Sequence, residues 1–367
     1  MTQPLSNPVP ADDAGFAARK GMLRVAVRSV RGALQLRSSG QRPRLRARLD
    51  PAWRRLLWIH EGMPQIGDAL MDLAPRSLLR EHGLSVDLYA PPHIASLFEG
   101  DRWFEHSLSR PDDLAEQGYD AAIVLGNSRR ALLTKRRHLR RLPWVSLHGD
   151  YNGPDFHRAQ FATQRLADLL GIVLNAADFD RHSAQKLHWL ADDAIEDAAP
   201  QVPEGSVALV LGGVRAQRIY PHWAQVLHGL QALGLRHVVL LGADNGRAQA
   251  AQLMATSTPP FGPLDLVGRT TLRQAHAVLG RCAVAACCDG GLMHLALTTD
   301  CPVVALFDSS IDPAWRLPRS ARITALRSAS DAVDGVPPES VVQAVMARWQ
   351  AAGGRSPADR AQAGPAP

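Results

Sequence analysis

The sequence predicts an α/β fold made of two doubly wound domains in series, each on a mainly parallel sheet. Three observations predict it. Short apolar runs alternate with stretches of helical length across residues 55–349, the pattern of strand–helix–strand units. The alternation is interrupted once, over the acidic and then proline-containing residues 191–203, and restarts after them. The chain has 367 residues, 46% of them hydrophobic, which is enough for two cores of ordinary size.

In the first series, residues 55–60 form an apolar run that leads into a glycine-containing loop. A helix is expected over 68–82 with Gly83 as its stop. Strands follow over 85–89, 121–125 and 144–147, and a helix over 161–170 ends at Gly171. The second series opens with a strand over 206–211 that runs into Gly212-Gly213. A helix over 221–233 stops at Gly234, and a strand over 237–241 ends at Gly242. Then come a helix over 247–255, a short strand over 264–267, and a helix over 272–279 opened by Thr270 or Thr271. A strand over 284–288, a helix over 292–298, a strand over 303–307 and a closing helix over 341–349 complete the series. The expected segments are a basic, partly disordered extension (1–50), two Rossmann-like domains (51–195 and 196–352) and a disordered tail (353–367). A ligand is expected in the crevice outside the strand ends.

Charge is uneven. Residues 1–50 hold ten Lys or Arg against three Asp, whereas the whole chain carries +6, so the remainder is nearly neutral. Within the extension, residues 22–31 (MLRVAVRSVR) suit a basic amphipathic helix able to lie on an anionic membrane surface. A solvated extension is the alternative. No aromatic interleaving supports nucleic-acid binding. No apolar run of membrane-spanning length and no secretory leader are visible, so the expected place is the cytoplasm, with peripheral contact on the membrane left open. Cys282, Cys287, Cys288 and Cys301 show no metal-ligand spacing and read as reduced, buried small hydrophobes.

Several activities are excluded by motif. Neither Gly62-Met63-Pro64-Gln65-Ile66-Gly67 nor Gly212-Gly213-Val214-Arg215 fits the dinucleotide fingerprint. No phosphate-binding GxxxxGK[ST] loop or GxSxG elbow is present. The informative segment runs from Ala285 through Asp289-Gly290-Gly291-Leu292-Met293-His294 to Ala296: a buried strand, an acid, two glycines and a helix start. Glycines admit a ligand close to the backbone, helix-start amides favour phosphate, and the acid can accept bonds from sugar hydroxyls. A plain helix cap by Asp289 is the alternative.

This segment continues through Cys301-Pro302-Val303-Val304-Ala305-Leu306-Phe307 to Asp312-Pro313, and resembles the signature of the bacterial lipopolysaccharide heptosyltransferases, glycosyltransferase family 9. Other parts agree in order. Gly67-Asp68-Ala69-Leu70 resembles the family's N-terminal G-D motif, Tyr119-Asp120 through Gly126-Asn127-Ser128-Arg129 its YD…GN.R strand, and Val267-Gly268-Arg269-Thr270-Thr271-Leu272 its GRTSL turn.

The resemblance implies a GT-B fold with its site in the interdomain cleft, an acceptor-binding first domain and a nucleotide-sugar-binding second one. It implies inverting, metal-independent transfer of a heptose from ADP-heptose to Kdo or heptose of a lipid A-linked core oligosaccharide. The nucleotide sugar is then a substrate, and no cofactor is expected. Asp68 matches the family's catalytic base, with a helix cap as the alternative. Arg218 stands where the family has a basic diphosphate ligand, with Arg215 as a nearby substitute. Asp289, Gly290, Gly291, Met293, His294, Gly268, Thr270 and Thr271 fall at donor-site positions, although His294 also suits a structural role and the threonines plain turn chemistry. Asp244, after the strand ending at Gly242, can hold ribose hydroxyls. Arg129 and Arg130, in a basic cluster with Lys135, Arg136, Arg137, Arg140 and Arg141, suit acceptor phosphates or carboxylates, or a solvated helix face. The sequence departs from the family at Cys288, at Gly290 in place of Ser or Thr, at Asp308-Ser309-Ser310 in place of G-P-T, and at Leu211-Gly212-Gly213-Val214 in place of P-G-[AS]. Two other readings stay open: a GT-B transferase using another nucleotide sugar, and a non-catalytic nucleotide-binding or scaffold member.

Overall fold

The computed structural model describes residues 21–61, 63–114, 118–126, 129–149, 156–189, 198–257 and 262–353, and for residues 129–131 the backbone alone. Residues 1–20 of the expected extension, 191–197 of the expected linker and 354–367 of the expected tail lie outside the described residues. The chain divides into two compact units, Met1–Ala191 and Asp192–Pro367.

Unit 1 begins with helix α1 (Met22–Ser38) and a 3-10 turn (Arg42–Arg44). Strand β1 (Arg55–Ile59) leads to α2 (Ile66–Asp72) and α3 (Arg76–Glu81), then β2 (Ser85–Tyr89), α4 (Pro92–Phe98), β3 (Ser107–Leu108) and β4 (Ala121–Val124). Helix α5 (Arg129–His138), β5 (Trp144–Ser146), α6 (Arg158–Leu170) and α7 (Ala176–Ser183) complete it. The sheet order is β3-β2-β1-β4-β5 with every pairing parallel. Strands covered on both faces read as unbroken apolar runs, which is why 121–125 is so plain in sequence. The helix expected over 68–82 is two helices. Pro75 lacks an N–H and becomes the N-cap of α3, its carbonyl accepting from the Leu78 amide at 2.9 Å.

The extension is more ordered than its composition suggests. α1 is helical over 17 residues and packs on α5. Leu36 and Leu49 are buried. Gln41, wholly buried, accepts from Lys135 Nζ at 2.6 Å through its side chain and from Trp144 Nε1 at 3.0 Å through its carbonyl. The Leu49 amide donates to Leu169 O at 2.8 Å. Single leucines and one glutamine among the arginines supply the contacts, too sparse a pattern to register as a folded segment.

Unit 2 runs β6 (Val207–Val210), α8 (Trp223–Ala232), β7 (Val238–Leu241), α9 (Arg247–Thr256), β8 (Leu264–Asp265), α10 (Leu272–Arg281), β9 (Val284–Cys288), α11 (Gly291–Leu297), β10 (Val303–Phe307), β11 (Ile323–Arg327) and α12 (Pro338–Ala351). Its sheet order is β11-β10-β9-β6-β7-β8, again all parallel. Thr271, not Thr270, caps α10, in a reciprocal capping box with Gln274. Helix α12 closes the core: Trp349 Nε1 donates to Gly205 O at 2.8 Å, and Gly229 of α8 leaves room for Val342.

In both units the first strand sits inside the sheet and successive strands are laid down on either side of it. The order reverses between β1 and β4 in unit 1 and between β6 and β9 in unit 2. In open parallel sheets, ligands bind outside the carboxyl ends of the strands at such a reversal. Each unit therefore has one preferred place for chemistry.

Candidate functional site

At the carboxyl end of β6 the chain turns sharply. Gly212 has φ +82, and a Cβ there would stand 2.7 Å from Asn245 Oδ1 and 3.0 Å from the Gly246 amide. Only glycine fits both the backbone and the space. The next turn, a 3-10 helix over Ala216–Arg218, carries Arg218 to the end of β9. There Arg218 Nη1 stands 3.1 Å from Asp289 Oδ2, and its Nε 3.9 Å from Asp308 Oδ2. Arg316 Nε approaches Asp289 Oδ1 at 3.9 Å. Asp289 and Asp308 are both 4% exposed. The reversal point of unit 2 thus gathers two guanidinium groups and two carboxylates. Asp289 is not a helix cap, because Gly290 holds that position and no side chain bonds it.

Asp308 does not turn away from this cluster. Its Oδ1 accepts from the Ser310 amide at 2.8 Å and from the Ser310 hydroxyl, which aims Oδ2 at Arg218. Arg316 was not among the residues expected from sequence. It follows Asp312-Pro313, and a cation after that dipeptide was the available signal.

The other residues expected at the donor site divide. Gly290 and Gly291 begin α11 beside Asp289, whereas Met293 and His294 are buried on it, 1% and 2% exposed. Gly268 and Asp244 do meet: Gly268 has φ +66, and a Cβ there would fall 2.3 Å from Asp244 Oδ1. Arg247 bridges them, giving Nε to Asp244 at 2.9 Å and Nη2 to Gly268 O at 3.1 Å. Asp244 remains largely exposed. Thr270 is half-buried, and the Thr271 hydroxyl is committed to the Gln274 amide. Arg215 is exposed. The four cysteines are free and buried, and burial pushes the thiols of Cys282 and Cys288 up to about 12, so none is a ready nucleophile.

In unit 1, α2 follows β1 and carries Asp68 in its first turn and Asp72 in its last. One turn apart, they share a helix face and need a cation. Arg158, the first residue of α6, supplies it. Its Nη1 donates to Asp68 Oδ1 at 2.8 Å, and its Nε and Nη2 both donate to Asp72 at 2.6 Å. His148 Nε2 lies 3.1 Å from Asp72 Oδ1, and His60 Nε2 3.3 Å from Asp72 Oδ2. Burial pushes the Asp72 pKa up, but the Arg158 charge and the two histidines outweigh it and hold the carboxyl well below 3.8. Asp68 itself is 20% exposed, and its Oδ2 has no partner among the described residues. A helix-cap role for Asp68 is excluded, since Gln65 is the N-cap of α2. Of the expected acceptor residues, the side chains of Arg129 and Arg130 lie outside the described residues, while Arg136, Arg137, Arg140 and Arg141 are exposed and Lys135 is buried.

The sequence profile of glycosyltransferase family 9 (heptosyltransferase) matches residues 109–340. The chain belongs to that family. No curated protein sequence matches it. Solved structures of the family share its fold. The ADP-heptose LPS heptosyltransferase II of E. coli is 19% identical, covers 81% of this chain and 99% of its own, and superposes with a TM-score of 0.65. The glycosyl transferase family 9 protein of Veillonella parvula is 15% identical, with 83% and 98% covered and a TM-score of 0.64. The E. coli heptosyltransferase WaaC, solved with ADP, is 16% identical, with 80% and 99% covered and a TM-score of 0.61. The two parallel-sheet units are thus the Rossmann-like halves of a GT-B fold. The family 9 match spans Arg218, Asp289, Asp308 and Arg316, whereas Asp68 lies ahead of it.

Proposed function

We propose that this family 9 protein is an inverting glycosyltransferase that moves a heptose from ADP-heptose to a Kdo or heptose residue of a lipid A-linked core oligosaccharide, at the cytoplasmic side of the membrane. The donor choice is supported by the solved relatives, one of which binds ADP and, in a second structure, ADP-2-deoxy-2-fluoro heptose. The observation that carries the reading is the meeting of Arg218 with Asp289 at the strand-order reversal of unit 2.

In this reading Arg218 and Arg316 take the diphosphate, and Asp289 holds sugar hydroxyls. Gly290 and Gly291 let the donor approach the backbone, and Gly268, Thr270 and Asp244 contribute at the nucleotide. The acceptor hydroxyl attacks the anomeric carbon from the face opposite the diphosphate. Its proton passes to Asp68, the new C–O bond forms as the bond to the phosphate oxygen breaks, and the nucleoside diphosphate departs with that electron pair. Positive charge for the leaving group comes from the arginines, and no cofactor enters.

The geometry favours Asp68 as base: Asp72 takes two nitrogens of Arg158, whereas Asp68 takes one and keeps Oδ2 without a partner among the described residues. The test is transfer from ADP-heptose to a Kdo-bearing acceptor, run beside a panel of other nucleotide sugars. Product from ADP-heptose supports the reading. Product from another donor alone moves the protein to a different sugar, and ADP binding without any transfer marks a non-catalytic member.

A further inference from the structure

Helix α1 presents two unlike faces. Val25, Ser29, Gly32 and Leu36 recur at helical spacing and are half-buried or buried against unit 1. Leu23, Val27, Val30 and Leu34 recur at the same spacing on a face turned outward, 78%, 59%, 59% and 61% exposed. At about 1.5 Å per residue this stripe is roughly 16 Å long. On a helical wheel of about 100° per residue, Arg24, Arg28 and Arg31 line one flank of the stripe and Arg37 the other. All four are exposed, and no acid occurs between Gly21 and Leu49.

We infer that this face of α1 is a docking surface for an anionic lipid bilayer. Large exposed aliphatic side chains in a row are unfavourable in water and need a cover. A second copy of the helix is a poor cover, because it would set one arginine flank against another. Nucleic acid would use the arginines and leave the stripe wet. An anionic bilayer satisfies both: the leucines and valines enter the acyl boundary while the arginine stems reach back to the phosphates. The exposed Arg42, Arg44, Arg46 and Arg48, with Arg136, Arg137, Arg140 and Arg141 of the α5 region on which α1 packs, extend the same positive field. This surface is independent of the transfer reading, because lipid binding is measured without donor or acceptor.

The test is co-sedimentation of the full chain with vesicles of phosphatidylcholine containing about a third phosphatidylglycerol. The native protein is expected to bind these vesicles, to release with added salt, and to ignore pure phosphatidylcholine. Two variants, L23Q/V27N/V30N/L34Q and R24Q/R28Q/R31Q, are each expected to lose affinity by about tenfold or more, with thermal midpoint and ADP affinity unchanged. As a second readout, V30C carrying an environment-sensitive dye should brighten on the anionic vesicles. Absence of native binding at low salt overturns the inference, as does undiminished binding by the apolar variant. So does a concentration-dependent dimer that the apolar variant abolishes, or binding to RNA that depends on the arginines but not on the stripe.

Discussion

Arg158 grips Asp72 with two nitrogens and Asp68 with one, all three bonds between 2.6 and 2.8 Å. One carboxylate is thereby buried and fully bonded, while the other keeps an oxygen open toward solvent. The asymmetry gives two aspartates one helical turn apart different surroundings, one sealed among its partners and one accessible.

If Asp68 takes the acceptor proton, Asp68→Asn should lower kcat by about two to four orders of magnitude. ADP affinity by calorimetry should stay within about twofold, since the residues proposed to take the donor belong to unit 2. Near-native turnover in that variant would remove Asp68 from the mechanism.

Asp72→Asn acts through Arg158. With Asp72 neutral, Arg158 loses its two-nitrogen grip and no longer holds Asp68 in place, so kcat should drop, with KM for the donor little changed. A buried cation losing its main partner also costs about 3 kcal/mol of stability. An unchanged kcat beside a lowered thermal midpoint would leave Asp72 a purely structural role.

If Arg218 takes the diphosphate, Arg218→Ala should weaken ADP binding by about tenfold. Asp308→Ser should act in the opposite sense, since it removes a buried negative charge from beside Arg218, and a gain of several-fold is expected. Calorimetry on the two variants reads both. Weaker binding by Asp308→Ser would mean that Asp308 orients Arg218 more than it repels the phosphates.

His276 ties stability to pH. Burial pushes its pKa down to about 4 from an ordinary 6.5, with a smaller contribution from Arg273. The unfolded chain therefore takes up a proton between these values that the folded chain refuses. Stability is complete above about pH 6.5 and falls as pH drops toward 4, by about 3 kcal/mol in all. His276→Gln should flatten the denaturation midpoint across that window, and an unchanged slope would assign it to other groups.

Much of the fold was legible because parallel strands buried on both faces are written as contiguous apolar runs bounded by glycine. Strand β11 was not, because its residues are partly exposed and its sequence lacks that contrast. The end of β9 was legible for a local reason: acid, glycines and helix start are adjacent in the chain. The Asp72–Arg158–His148–His60 network had no such signal. Its members sit on separate elements, Arg158 being 86 positions from Asp72. The one trace was the pair of aspartates at helical spacing, a like-charge repulsion that asks for a cation without saying where it comes from.

The buried contact between Gln41 and Lys135 divides the N-terminal region into parts with different fates. A protease cutting at Gly40, where the backbone is left-handed, would shed the amphipathic helix yet leave Gln41 in place. A cut at residue 50 would also pull out Gln41, leaving the Lys135 ammonium with only the Leu139 carbonyl and the Trp144 indole without its acceptor. The product cut at Gly40 loses Leu36 but keeps the Gln41 contacts, the deeper one loses both and should be the more prone to aggregate, and a shortened version for crystallography or enzymology should begin before Gln41, not at the first strand.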